Sequence, residues 1–135
     1  MERYFFKKEE RLCNKRLLQQ LYQRGSSFLL YPYRVVFLPH KDLPYPVQVV
    51  LSVPKRNIKH AVDRNLIKRR MRELYRLQKA KSIYPFMQER QDSMLLGIQY
   101  IGKVAEPYTR MQQRMEMLAE KLEVVYDELY LGKTP

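Results

Sequence analysis

Residues 55–76 read KRNIKHAVDRNLIKRRMRELYR, and they hold much of the excess positive charge of this 135-residue chain. Between residues 55 and 81 there are eleven Lys or Arg residues and only two acids, Asp63 and Glu73. The whole chain has a formal net charge of +12. Charge concentrated in this way indicates a polyanionic partner, most often a nucleic acid.

A helical wheel separates this stretch into two faces. Ile67, Met71 and Leu74 point one way. The opposite, polar arc carries Arg64, Asn65, Lys68, Arg69, Arg72 and Arg76. The pattern predicts an amphipathic helix with a core-facing stripe and a cationic stripe. Like charges at i,i+4 repel, so the cationic stripe costs stability unless a partner neutralises it. The alternative is a surface helix that is simply solvated. Under both interpretations, Arg64 and Arg69 are expected to be exposed in the free protein.

Length and composition predict one domain, residues 1–135, with a core at about residues 5–130. Cys13 is the single cysteine and fits a reducing cytoplasm. The first ten residues have no apolar stretch that would indicate a signal peptide. A sequence pI near 9.9 would also suit an anionic membrane surface, but the basic helix lacks the broad apolar face of interfacial helices. We therefore expect no membrane partner.

Hydrophobic periodicity predicts three strands and three helices. The predicted helices are residues 12–24, ending at Gly25, a basic helix from 59 or 61 to 79, and a last helix after Pro107. The predicted strands are residues 33–38, 47–53 and 93–101, and residues 82–92 are expected to form a loop around Pro85. The first two strands are expected to pair antiparallel. A strand–helix–strand unit should make the second and third strands parallel and adjacent.

Residues that could carry chemistry are dispersed along the chain. His40 and His60 have no partner at metal-ligand or triad spacing, and the acids form no group typical of a two-metal nuclease. The chain has only four glycines and no Gly-rich phosphate loop. We therefore expect no catalytic residue and no metal site in the polypeptide.

The run from Ala61 to Glu73 resembles the signature of the bacterial ribonuclease P protein family, which passes through Arg-Asn-Arg and Ile-Lys-Arg to Arg-Glu. Leu66 stands where that signature has a further arginine. The surrounding order also matches. A Lys-Lys-x-x-Arg-Leu motif at residues 7–12 comes before a helix that ends at Gly25, and a strand ending in Leu-Ser-Val runs into a basic pair at residues 55–56.

The resemblance implies an α/β (α+β) sandwich, with a central mixed sheet, helices packed on it and a left-handed strand–helix–strand crossover. It also implies the non-catalytic subunit of a cytoplasmic ribonucleoprotein endonuclease that hydrolyses precursor tRNA to leave a 5′-phosphate. In that enzyme the catalyst is an RNA, which also binds most of the Mg²⁺. One protein subunit binds one RNA.

The resemblance further implies two binding regions. One contacts the catalytic RNA and corresponds to Arg64, Asn65, Lys68, Arg69 and Arg72, to which the wheel adds Arg76. The other is a cleft for the 5′ leader of precursor tRNA, between the first helix and the sheet, and corresponds to Leu18, Tyr22, Phe37, Lys55 and Arg56. Aromatic rings can stack on unpaired bases while a basic rim holds their phosphates. Ordinary core packing is the alternative for Tyr22 and Phe37.

Three other functions compete with this interpretation. A structural RNA-binding protein of the ribosomal type would share the basic helix but have no role in cleavage. A DNA-binding regulator is disfavoured because no second short helix precedes Arg64 at a tight turn. A self-sufficient nuclease is disfavoured by the dispersed acids.

Overall fold

Residues 8–131 are described in a computed structural model, and Lys7 of the N-terminal motif lies outside them. The strands are β1 (Ser26–Leu30), β2 (Tyr33–Pro39), β3 (Val47–Ser52) and β4 (Met94–Tyr100). The helices are α1 (Lys15–Arg24), α2 (Ala61–Gln78), α3 (Tyr84–Glu89) and α4 (Tyr108–Tyr126). A 3-10 turn (Lys8–Glu10) precedes α1, and π-helical turns (Lys79–Ile83 and Asp127–Leu131) follow α2 and α4.

The sheet is mixed and has the strand order β1-β2-β4-β3. β3 and β4 are parallel neighbours, so the predicted arrangement of the strand–helix–strand unit is confirmed. The prediction that β2 pairs with β3 is wrong, because β4 lies between them. Gly97 of β4 is opposite Val36 of β2 on one side and Val50 of β3 on the other. The left-handed crossover stays a prediction.

Each face of the sheet has its own apolar cluster. The larger cluster packs β2 residues Tyr33, Val35 and Phe37 with residues of α2, α3 and α4. The smaller one packs Val36 and residues of α1 on the opposite face, together with Leu95 and Val50. Successive strand residues point to opposite faces, and β2 is buried on both, as the central strand of a covered sheet should be.

Two elements differ from the sequence-based prediction. β1 was missed, and it pairs with β2 as an antiparallel hairpin that turns at Tyr31 and Pro32. Residues 82–92 contain α3 rather than a continuous loop. Pro85 lies in the first turn of α3, at the junction with the π-helical turn that follows α2.

The ends of α1 are set by Asn14 and Gly25. The side-chain oxygen of Asn14 accepts from the backbone N–H groups of Arg16 (2.9 Å) and Leu17 (3.1 Å), so the helix begins later than predicted. Gly25 ends it in an extended conformation, with φ −69° and ψ 152°. A Cβ at Gly25 would lie 2.4 Å from the backbone oxygen of Leu21. Glycine is therefore required here by close packing and not by a left-handed backbone.

The apolar stripe of α2 is buried as predicted, with Ile67, Met71 and Leu74 at most 2% exposed. Arg70 lies at the edge of this stripe, with its guanidinium 5.9 Å from the ring centre of Tyr108. On the polar side, Arg76 pairs with Glu73 one turn earlier. No helix within residues 8–131 is long and apolar enough to span a membrane.

Candidate nucleic-acid interface

The basic face of α2 presents Asn65, Lys68, Arg69 and Arg72 to solvent. These four side chains lie on the side of the helix away from the buried stripe, so the predicted separation into two faces is confirmed. Arg76 is less available than its neighbours, because it is half-buried and paired with Glu73.

Arg64 has a different role from the one expected. Its Nη1 donates to the backbone oxygens of Ile58 (3.0 Å) and Lys59 (2.7 Å). The expectation that Arg64 is simply solvated is therefore wrong, because the loop before α2 supplies acceptors for its guanidinium. Arg64 fixes the loop that follows β3, and this loop carries Lys55 and Arg56, both exposed.

The predicted cleft corresponds to the surface of the sheet beside α1, which is called the cleft below, and Tyr22 lies at its edge. Tyr22 is 54% exposed, whereas Leu21 beside it is fully buried. The Tyr22 hydroxyl lies 3.2 Å from the position that a Cβ on Gly97 would occupy. Partial burial raises the pKa of Tyr22 above its ordinary value, and the charge of Arg34 partly opposes this rise. The phenol is therefore neutral at physiological pH and can both donate and accept hydrogen bonds.

The floor of the cleft continues past Tyr22 along one row of the sheet. Arg34 of β2 is opposite Leu29 of β1 and Gln99 of β4, and Gln99 is in turn opposite Ser52 of β3. Two-residue alternation places this row on the face that carries Val36 and Gly97. Sequence reasoning missed this row. The available signal was the position of Arg34, two residues before Val36, in an otherwise apolar strand.

The prediction that Phe37 lies in the cleft is wrong. It is fully buried on the opposite face of the sheet, with ring centres 6.1 Å from Tyr130, 6.2 Å from Phe28 and 6.3 Å from Tyr126. Val36 occupies the cleft side instead, because neighbouring strand residues face opposite ways. Leu18 is half-buried and packs beneath the cleft in the smaller apolar cluster.

A groove of about 260 Å³ lies between β3 and the basic helix. Its lining residues come from the N-terminal segment, β3 and α2, and they are Arg11, Leu12, Cys13, Val49, Val50, Leu51, Lys68 and Arg72. Val50 also packs in the smaller cluster beneath α1, beside Gly97. One path therefore runs from the Arg34 row, past Tyr22 and Val50, to the cations of α2.

This path has the chemistry of a binding surface. Aromatic, amide and guanidinium groups can stack on bases and neutralise phosphates. Within residues 8–131, no group of three or more His, Cys, Asp and Glu side chains could hold a metal ion. Fold and surface together define a small α/β protein whose basic surface has the chemistry expected of a nucleic-acid-binding protein.

Comparison with known proteins identifies the family. The ribonuclease P family model matches residues 6–123. The chain therefore belongs to the ribonuclease P protein family, and it is a non-catalytic protein subunit of the RNA–protein endonuclease that processes tRNA. This membership sets aside the ribosomal-type, DNA-binding and self-sufficient nuclease alternatives.

Two relatives illustrate the similarity. The ribonuclease P protein component of Buchnera aphidicola subsp. Acyrthosiphon pisum is 40% identical over 81 residues, which cover 60% of this chain and 70% of the relative. The ribonuclease P protein component of Porphyromonas gingivalis (strain ATCC 33277) is 29% identical over 110 residues, which cover 81% of this chain and 80% of the relative.

Solved structures support the fold. The Staphylococcus aureus RNase P protein matches with a TM-score of 0.66 at 20% identity, over 84% of this chain and 94% of that one. The Thermotoga maritima RNase P protein matches with a TM-score of 0.65 at 16% identity, over 82% and 96%. The predicted α/β sandwich with a mixed sheet and packed helices is thereby confirmed.

Proposed function

We propose that the basic face of α2 binds the catalytic RNA of ribonuclease P and that the cleft beside α1 binds the 5′ leader of precursor tRNA. The observation that carries this proposal is the continuity between the two regions through Val50. A leader seated on the sheet would pass directly to the cations that hold the catalytic RNA. The protein would thus bind the precursor tRNA and the catalytic RNA at the same time, in a cytoplasmic complex of one protein and one RNA.

In this proposal Mg²⁺ is held mainly by the RNA. Metal sites for hydrolysis usually combine several carboxylate or imidazole ligands, and residues 8–131 bring no such group together. The chain's own contribution is to bind, orient and neutralise. Stacking is worth roughly 1–3 kcal/mol per base, and it tolerates different leader sequences.

A precursor-tRNA cleavage assay with and without the cognate catalytic RNA tests the proposal. The protein alone should leave the substrate intact. Added to the RNA, it should raise the affinity for leader-bearing substrate more than the affinity for mature tRNA. Site-specific cleavage by highly purified, RNA-free protein would contradict the proposal, and so would equal effects on the two tRNAs.

Replacing Tyr22 with leucine should weaken the binding of precursor tRNA by the holoenzyme and leave the binding of mature tRNA unchanged. The substitution keeps an apolar side chain over Gly97 but removes the ring and the hydroxyl, so the expected loss is roughly 1–3 kcal/mol. The measurement is the ratio of the two dissociation constants at one salt concentration.

The matched control is Tyr108→Leu, the same change at a partly exposed tyrosine that contacts Arg70 at the start of α4. It should leave the ratio unchanged. Equal weakening of precursor and mature tRNA by Tyr22→Leu would show that this ring belongs to the general scaffold.

Arg69→Ala and Arg64→Ala should have different effects on folding. Arg69 is exposed, so its loss should weaken binding to the catalytic RNA and reduce the slope of log K against log salt by roughly 0.7–0.9, with no change in Tm. Arg64→Ala should also lower the free energy of unfolding by about 1–2 kcal/mol, because it removes two hydrogen bonds to the loop.

Urea unfolding and salt-dependent RNA binding of both variants are the measurements. Equal stability of the two variants would contradict the role of Arg64 in holding the loop. An unchanged salt slope for Arg69→Ala would remove Arg69 from the RNA-binding face.

A further inference from the structure

The N-terminal segment, residues 8–13, lies along the outer edge of β3 and is called the strap below. The backbone N–H of Leu12 donates to the oxygen of Val49 at 2.8 Å. The side-chain amide of Gln48 donates to the backbone oxygen of Glu9 at 3.0 Å. Arg11 forms an isolated parallel bridge with Val49. These contacts hold the strap against the edge of the sheet through one isolated parallel bridge.

A buried ion pair fastens the strap to the end of the basic helix. Glu10 is 3% exposed and Lys79 is 1% exposed, and the ammonium of Lys79 donates to the carboxylate of Glu10. The hydroxyl of Tyr84 donates to the same carboxylate oxygen. Lys79 opens the π-helical turn that directly follows α2. The contact thus joins segments that are 69 residues apart in the chain.

Such a pair is an inefficient way to gain stability. Removing two charges from water costs several kcal/mol per ion, and well-packed apolar residues often serve stability equally well. Both charges of a buried pair are, however, compensated only while the two side chains remain in contact. The register of the strap against β3 and the end of α2 is the feature that this pair specifies.

That register determines one wall of the groove described above. Glu10 points inward to Lys79, whereas the next residue, Arg11, is exposed and lines the groove together with Lys68 and Arg72. A shift of the strap by one residue would exchange the inward and outward side chains. Arg11 would then leave the groove, although α2 itself had not changed.

We propose that Glu10 and Lys79 are positioning residues for RNA binding, which hold the strap so that Arg11 acts as a further phosphate-binding cation opposite Lys68 and Arg72. This proposal rests on the proposed function, because it takes the groove as an RNA contact. The phosphates belong to the catalytic RNA or to the leader, and two separate binding measurements distinguish these sources.

The test is a double-mutant cycle on the full chain. Arg11→Ala is made in the wild-type background and in the Glu10→Gln/Lys79→Met background, which removes both charges together. One measurement is the affinity of the protein for the catalytic RNA. The other is the affinity of the assembled holoenzyme for precursor tRNA. In the wild-type background Arg11→Ala should weaken one of these affinities by about tenfold. In the charge-free background it should weaken that affinity less than about twofold.

Amide hydrogen exchange provides a readout of the strap itself. The Leu12 amide should exchange faster in the charge-free variant, while core amides of α4 keep their protection. Gln48→Ala gives a second route that leaves the buried charges in place, because it removes only the contact to Glu9. It should likewise speed the exchange of Leu12 and reduce the effect of Arg11→Ala, and it serves as the test if the charge-free variant does not fold.

The outcomes separate clearly. Equal effects of Arg11→Ala in both backgrounds would overturn the positioning role of the pair. No effect of Arg11→Ala in the wild-type background would overturn the role of Arg11. Wild-type protein that binds neither the catalytic RNA nor the leader would instead overturn the proposed function, and this is measured before any variant is made.

Discussion

Replacing Phe37 with alanine should lower the free energy of unfolding by about 3–5 kcal/mol and leave the discrimination between precursor and mature tRNA unchanged. The ring is fully buried among Phe28, Tyr126 and Tyr130, on the face of the sheet opposite the cleft. Its removal leaves a cavity between the sheet and the C-terminal end of α4, because the surrounding rings can collapse into the space only in part.

Urea unfolding measures the first effect, and the ratio of the two tRNA affinities measures the second, at a temperature where the variant is folded. Tyr22→Leu is the reciprocal control. It should change the ratio and leave stability nearly unchanged, since Tyr22 is 54% exposed. The Phe37→Ala variant could instead keep wild-type stability and lose its preference for precursor tRNA. That result would show that Phe37 belongs to the cleft.

The position of Phe37 shows where sequence reasoning about this sheet reaches its limit. Val35, Val36 and Phe37 are all buried, because β2 has helices on both of its faces. An uninterrupted apolar run has no alternation from which to read the direction of each side chain. Alternation from Arg34 puts Val36 and Phe37 on opposite faces of β2, but which face α1 covers is set by packing between distant segments.

The basic helix could be predicted in more detail for the opposite reason. Its two faces differ in chemistry, so the 3.6-residue period alone places Ile67 and Met71 in the core and Lys68 and Arg72 outside. Helical periodicity did not predict the role of Arg64, because its guanidinium donates to backbone oxygens in the preceding loop. The conformation of that loop is not encoded in the periodicity of the helix.

The sheet order shows the same limit on a larger scale. Strand existence follows from local composition, and three of the four strands could be recognised in this way. The insertion of β4 between β2 and β3 depends on contacts between distant segments. So does the pairing of Glu10 with Lys79, since neither residue type signals burial and each is usually found at the surface.

The buried pair should be strongly non-additive. Lys79→Met alone should lower the free energy of unfolding by about 3–5 kcal/mol, because it leaves the Glu10 carboxylate buried without its counter-charge. Burial raises the pKa of Tyr84 above its ordinary value, so this phenol stays protonated and still donates to the carboxylate. One neutral donor does not replace an ammonium, and most of the loss should remain.

Adding Glu10→Gln to Lys79→Met should recover most of that loss, because no uncompensated charge is then buried. Urea unfolding of the wild type, both single variants and the double variant closes the cycle and measures the coupling directly. Two single losses that add up in the double variant would mean that the charges contribute independently. A large coupling, with the double variant close to wild-type stability, would mean that the pair contributes little net folding energy. Its contribution would then lie in the arrangement of the strap, which differences in RNA affinity can reveal even where stability is the same.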